Sequence, residues 1–139
     1  MDVHDDVVQL GFEDDDGLGE LLLQRLLAGT LTVLWEPVDL LDADEVATIE
    51  ASVGTGLTVL DADGEPACNV EVVKVLRTTW GAPDPRLVAG EGYGGDVDAW
   101  RRFVGPSLAD GLAAEDAELV DATELLVQHV RLSAVAERT

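Results

Sequence analysis

Leu57-Thr58-Val59-Leu60-Asp61-Ala62-Asp63-Gly64-Glu65-Pro66-Ala67-Cys68-Asn69-Val70-Glu71-Val72 is the stretch that decides the fold. Two apolar, β-branched runs flank Asp61–Glu65, where Asp side chains can bond nearby backbone and Gly64 can take a positive φ. The stretch reads as a hairpin with strands over Leu57–Leu60 and Ala67–Leu76. On the second strand Cys68, Val70 and Val72 alternate with Asn69 and Glu71, and the parity then slips to Val73 and Val75. A period-2 pattern that changes phase predicts a bulge or a segment buried on both faces, as where a strand bends around a barrel.

Outward from the hairpin, the remaining elements are shorter and more ambiguous. Leu18, Leu21, Leu22, Arg25 and Leu26 follow helical spacing, with Asp16 placed to cap the start and Gly29 to stop the end. Thr30-Leu31-Thr32-Val33-Leu34-Trp35 reads as a strand ended by Pro37. Asp42–Glu50 fits either a short surface helix capped by Asp42 or Asp44, or a loop. Gly81-Ala82-Pro83-Asp84-Pro85 is a turn. Asp96 or Asp98 caps a helix through Phe103 that Pro106 interrupts or ends, and Glu124–Ala134 is the closing strand. Residues 1–16 read as an acidic, flexible, solvated N-terminal arm, which leaves 17–135 as one domain.

The charge is extreme: 29 Asp and Glu against 8 Lys and Arg give a formal net charge of −21. Lys74 is the only lysine. Such a chain repels itself in dilute buffer, and high salt screens that repulsion, so the composition predicts a salt-adapted protein. The same charge argues against a broad nucleic-acid footprint, which needs a basic face. Any nucleotide site should be small and rest on stacking and hydrogen bonds. No apolar run approaches the ~18 residues of a membrane span, and Met1–Asp6 lacks the pattern of a signal peptide, so a cytoplasmic protein is expected. Cys68 has no partner for a disulfide and reads as a core residue.

Several motifs are excluded by spacing. His4 lies in the acidic arm and His129 in the closing strand, each without a paired ligand. The Asp61–Glu65 turn lacks the downstream Glu of a calcium loop, so no metal and no cofactor is expected. The chemistry concentrates instead in Ala89-Gly90-Glu91-Gly92-Tyr93-Gly94-Gly95-Asp96 and the Trp100-Arg101-Arg102 beyond it. The glycines permit close backbone approach and could expose amides to an anion. Glu91 suits a general base or an acceptor for a base amino group, or else is a solvated loop carboxylate. Trp35, Trp80 and Trp100 offer ring faces, with Tyr93 in the loop beside them, and Arg101 and Arg102 are scarce positive charges for phosphate or carboxylate, against the alternatives of core packing and surface ion pairing.

Taken in order, these segments resemble the ASCH domain, a PUA-like family. A leucine-rich helix leads into Ala28-Gly29-Thr30-Leu31-Thr32, followed by Trp35-Glu36, Val53-Gly54, the Leu57–Val72 hairpin, Ala89-Gly90-Glu91-Gly92 and Trp100-Arg101, over roughly residues 18–132. The resemblance implies an α+β fold, a PUA-like mixed β-barrel with peripheral helices, and a cleft for a nucleotide or short single-stranded RNA lined by Trp35, Glu91, Tyr93, Trp100 and Arg101. Some family members hydrolyse the amide of an acetylated cytidine with a Lys, a Thr and a Glu, and others are linked to RNA cleavage. Of those catalytic positions only Thr32 and Glu91 carry over, because Gly29–Thr32 holds no lysine. A binding domain is therefore the leading reading. An amidohydrolase acting on an acetylated pyrimidine nucleoside, or a ribonuclease, comes second, and a protein-interaction module third. The sequence does not fix the oligomeric state.

Overall fold

The computed structural model describes residues 1–10 and 16–137. Among these residues ten elements follow one another: β1 (Val7–Gln9), α1 (Leu18–Ala28), β2 (Val33–Pro37), a 3₁₀ turn (Val38–Leu40), α2 (Ala43–Glu50), β3 (Gly56–Leu60), β4 (Pro66–Thr79), α3 (Pro85–Gly90), α4 (Val97–Ala114) and β5 (Glu124–Val135). The strands form one mixed sheet in the order β1-β3-β4-β5-β2, curled into a PUA-like half-barrel with the helices around it.

The hairpin organises that sheet. Asp61 accepts from the backbone N–H groups of Asp63 and Glu65 at 3.0 Å each, and Gly64 sits at φ 81°. β4 then pairs antiparallel with β3 on one side and β5 on the other. The phase slip in the sequence is a bulge: Val72 pairs with Val130 and Lys74 with His129, so Val73 is an extra residue, turned out to solvent. Before the bulge, Ala67, Cys68, Asn69 and Val70 are all buried, so this part of β4 is covered on both faces.

What covers the second face is the amino-terminal segment. The stretch expected to be an irregular solvated arm contributes β1, which pairs parallel with β3 from Val7↔Thr58 to Gln9↔Leu60. Two buried polar side chains anchor it. Thr58 Oγ1 accepts from the His4 N–H and donates to Asn69 Oδ1, both at 2.7 Å, and Asn69 Nδ2 donates to the Asp2 carbonyl at 2.6 Å. A buried hydroxyl and amide cost free energy unless their hydrogen bonds are made, so this pair specifies a docked segment. Glu13, Asp14 and Asp15 of the acidic run lie outside the described residues.

The helices follow their caps. Gly17, not Asp16, takes the N-cap position of α1, and Gly29 ends it at φ 81° with its N–H on the Leu26 carbonyl. Asp42 and Glu45 form a capping box on α2. Asp84 caps α3, where a turn alone was expected; Pro85 at its first position is preorganised for a helix. Asp96 caps α4, which runs through Pro106 rather than ending near it. Burial of Leu108 and Leu112, one turn apart, holds the helix together beyond the proline. Leu23 and Leu26 of α1, Leu87 and Val88 of α3, and Trp100 and Leu112 of α4 join Val33, Val70, Val72, Leu125 and Val127 of the sheet in one core. Cys68 belongs to that core, and burial pushes its thiol up to about 11.

Candidate functional site

A cavity of about 1090 Å³ opens between β2, the 3₁₀ turn, α2, α4 and the β1 segment. Its wall includes Val33, Trp35 and Glu36 of β2, Glu91 after α3, Phe103 and Ser107 of α4, Leu18 and Leu22 of α1, and Gln128 of β5. Asp6 to Leu10 form part of the same wall, so the docking of the amino-terminal segment shapes the cavity.

Glu91 is its central polar group. It ends α3, its N–H donating to the Leu87 carbonyl at 3.0 Å, and only 8 % of its surface is exposed. The Trp35 indole N–H donates to the Glu91 Oε1. Burial pushes the Glu91 carboxyl above its ordinary range, opposed in turn by the indoles of Trp35 and Trp100 and by the positive charge of Arg25. The Trp100 indole nitrogen favours the anion but lies outside hydrogen-bond geometry, which leaves it formally unsatisfied. Glu36, on the same wall, is also raised, by desolvation and then by repulsion from Glu45.

Helix α3 is brought close enough by a glycine. Thr32 donates its N–H to the Gly90 carbonyl at 2.8 Å, and a Cβ on Gly90 would stand 2.6 Å from Val33 Cγ1 and 3.2 Å from Thr32 Oγ1. Only glycine lets α3 lie this near β2, and that approach sets Glu91 against Trp35.

The expected site residues divide. Trp35 and Glu91 meet in the cavity. Thr32 neighbours Gly90 but is exposed and does not line the cavity, and Lys74 lies on β4 outside it. Trp100 is completely buried, its ring centroid 6.2 Å from that of Trp35 and 5.1 Å from that of Trp80, so it packs rather than offering a face for stacking. Arg101 donates to the Trp80 and Gly81 carbonyls at 3.1 and 2.8 Å and so holds the turn before α3 instead of a phosphate. Tyr93 lies off the cavity wall, its ring 6.1 Å from that of Phe103. The glycine-rich loop presents no anion nest at Gly92, Tyr93, Asp96 or Val97, because those amides bond to backbone carbonyls.

Phe103 and Gln128 on the cavity wall and Arg25 beside it are among the residues that were not singled out as site residues from the sequence. Arg25 was visible only as part of the Leu18, Leu22, Arg25 spacing, which places it on the helix face that lines the cavity. Among the described residues, no group of three His, Cys, Asp or Glu side chains is arranged to hold a metal ion, and no helix is long and apolar enough to cross a membrane.

No protein-family model and no curated protein matches this sequence. Solved structures do. Protein EF3133 from Enterococcus faecalis V583, of family-model DUF984, superposes with a TM-score of 0.78 at 16% identity, covering 97% of this chain and 80% of its own. The ASCH domain from Lactobacillus crispatus JV V101 superposes with a TM-score of 0.74 at 17% identity, covering 93% of this chain and 80% of its own. At such identities the likeness concerns the fold, and the fold is ASCH-like.

Proposed function

We propose that the cavity binds one nucleotide, free or in a short single-stranded RNA, with the base held between Trp35 and Glu91. The observation that carries this reading is the buried Glu91 carboxylate, oriented by the Trp35 N–H on the wall of a cavity large enough for a base and sugar. An oriented, desolvated carboxylate is a strong acceptor for a base amino or imino group, and it leaves a buried charge unpaired when the wrong ligand enters. The half-buried Trp35 and the Phe103 ring offer apolar surface for a flat heterocycle.

Charge limits the rest of the ligand. Among the described residues the wall carries Asp6, Glu36, Asp42, Asp44, Glu45 and Glu91 and no basic side chain. A polyanion threaded through such a cavity would be repelled, so a single nucleotide suits it better than a long RNA. Hydrolysis of an amide has less support. Thr32 lies off the cavity wall, and a threonine hydroxyl needs an adjacent base to become a nucleophile.

Calorimetric titration of pyrimidine nucleosides and short RNAs in molar KCl tests the reading. Trp35→Ala and Glu91→Gln should each weaken binding about tenfold or more, the range expected for one stacked ring or one hydrogen bond to a charged group. No binding by the parent protein, or equal binding by both variants, refutes it.

A further inference from the structure

We propose that Arg25 and Phe103 form a phosphate subsite at the edge of the cavity, so that the ligand is a nucleoside monophosphate rather than a nucleoside. This inference rests on the base-binding reading above. Leu18, Leu22 and Arg25 occupy positions i, i+4 and i+7 of α1, and the two leucines line the cavity, so the arginine continues that helix face. The Arg25 guanidinium lies 5.8 Å from the centroid of Phe103, which also lines the cavity and is 44% exposed. A guanidinium that meets a ring rather than a carboxylate keeps N–H donors for an anion, and their fork matches two oxygens of a phosphate.

Charge and position together single this arginine out: among the described residues Lys74 and Arg102 also make no ion pair, but neither lies over a ring of the cavity wall as Arg25 does. In a chain of 29 acidic and 8 basic residues, a cation is expected to find a carboxylate. Arg77, Arg86 and Arg131 each do, and Arg101 is taken up by two carbonyls. Arg25 makes no ion pair with any described residue although it is half-exposed. Its charge is nonetheless felt inside, where it favours the Glu91 anion against burial. The carboxylates Glu36, Asp42, Asp44 and Glu45 belong to β2, α2 and its cap. A ligand with one apolar and one anionic end is therefore oriented, its phosphate toward α1 and away from the acidic wall.

The test compares cytidine, cytidine 5′-monophosphate and inorganic phosphate by calorimetry in 1 M KCl, where the long-range field of the protein is screened within ~3 Å. The parent protein should bind the monophosphate about tenfold more tightly than the nucleoside, as a charge-assisted bidentate contact implies. The ratio of the two dissociation constants should fall to about one in Arg25→Gln and to an intermediate value in Arg25→Lys, which keeps the charge and loses the fork. Phe103→Leu, which keeps an apolar contact and removes the ring platform, should also reduce the ratio. Thermal melts of each variant establish that it is folded. Equal affinity for nucleoside and monophosphate in the parent protein, or an unchanged ratio in Arg25→Gln, overturns the subsite and leaves the base-binding reading standing. Failure of both ligands to bind overturns both.

Discussion

The Trp35 indole N–H donates to the Glu91 carboxylate across 56 positions of sequence, tying β2 to the end of α3 inside the cavity wall. Two indoles and Arg25 favour the anion, yet burial outweighs them and holds the carboxyl above its ordinary range. The folded protein thus binds that proton more tightly than the unfolded chain. Ionisation of Glu91 costs nothing below the unfolded value near 4.5, where both states are protonated, and destabilises progressively as pH rises through the folded value. Glu91→Gln, whose amide oxygen still accepts from Trp35, should therefore melt at or above the parent temperature at pH 7. That advantage should shrink below about pH 4.5, while ligand binding is weakened throughout. A melting difference that grows toward acid pH refutes this account.

Gly90→Ala should damage the site through packing alone. The new Cβ meets Val33 Cγ1 at 2.6 Å, so α3 must move away from β2. Overpacking of this kind costs on the order of 1–3 kcal/mol. Gly64→Ala is the contrasting case, because its φ of 81° is strained for alanine but no atom lies within 4 Å of the new Cβ. It should cost on the order of 1 kcal/mol and leave nucleotide affinity alone. Urea unfolding with parallel titrations separates the two, and equal loss of affinity would mean that Gly90 does not set the site.

Asn69→Ala should release the amino-terminal segment. The change removes both the acceptor for the Thr58 hydroxyl and the donor to the Asp2 carbonyl. Leaving a buried hydroxyl unpaired costs about 1–3 kcal/mol. Hydrogen exchange should accelerate at the Leu10 amide, which bonds to Leu60, while amides in the centre of β4 stay protected. Uniform acceleration through the sheet would show that the segment and the core unfold as one unit.

What was legible in the sequence is what local chemistry decides. The Asp61–Gly64 turn, the phase slip at Val73 and the Gly29 stop all announce themselves within a few residues, whereas the choice of Asp42 over Asp44 and of Asp96 over Asp98 as caps was settled only by the fold. The same local signal was present for α3, where Asp84 followed by Pro85 is a helix start, but the neighbouring Pro83 and Gly81 read as a turn. Helix α4 outlasted Pro106 because burial of Leu108 and Leu112 is a tertiary effect. β1 was hidden because its three residues carry little pattern, and Asn69 looked solvent-facing until the segment that covers it was in place. In the site, Trp35 and Glu91 were each singled out from the sequence, but their hydrogen bond joins segments 56 residues apart and no local pattern announces it. The placement of Trp100 and Arg101 off the cavity wall depends on burial and partners that no spacing reveals.

Stability should rise with salt. The net charge of −21 is only partly offset by ion pairs, and Arg77 with Glu50 and Glu124, like Arg131 with Glu71, joins exposed side chains. Repulsion among the remaining carboxylates is long-ranged in dilute buffer and confined to ~3 Å at 1 M salt. The melting midpoint in molar KCl should exceed that in dilute buffer by several degrees, an amount corresponding to about 1–2 kcal/mol for a domain of this size. An unchanged or lower midpoint contradicts salt adaptation.

Trp35 and Trp100 lie 6.2 Å apart and should nevertheless fail in different ways. Trp100 is buried without remainder between Trp35 and Trp80, so Trp100→Ala opens a large cavity and should cost about 3–5 kcal/mol. Trp35 is only half-buried and lines the cavity, so Trp35→Ala should cost less stability but remove both the proposed stacking face and the N–H that orients Glu91. Urea midpoints and nucleotide titrations of the two variants decide between packing and recognition. The Trp100 variant, kept folded in molar KCl, should retain more affinity than the Trp35 variant while being the less stable of the two. The reverse order of affinities would place the ligand against Trp100 and require the core around it to open.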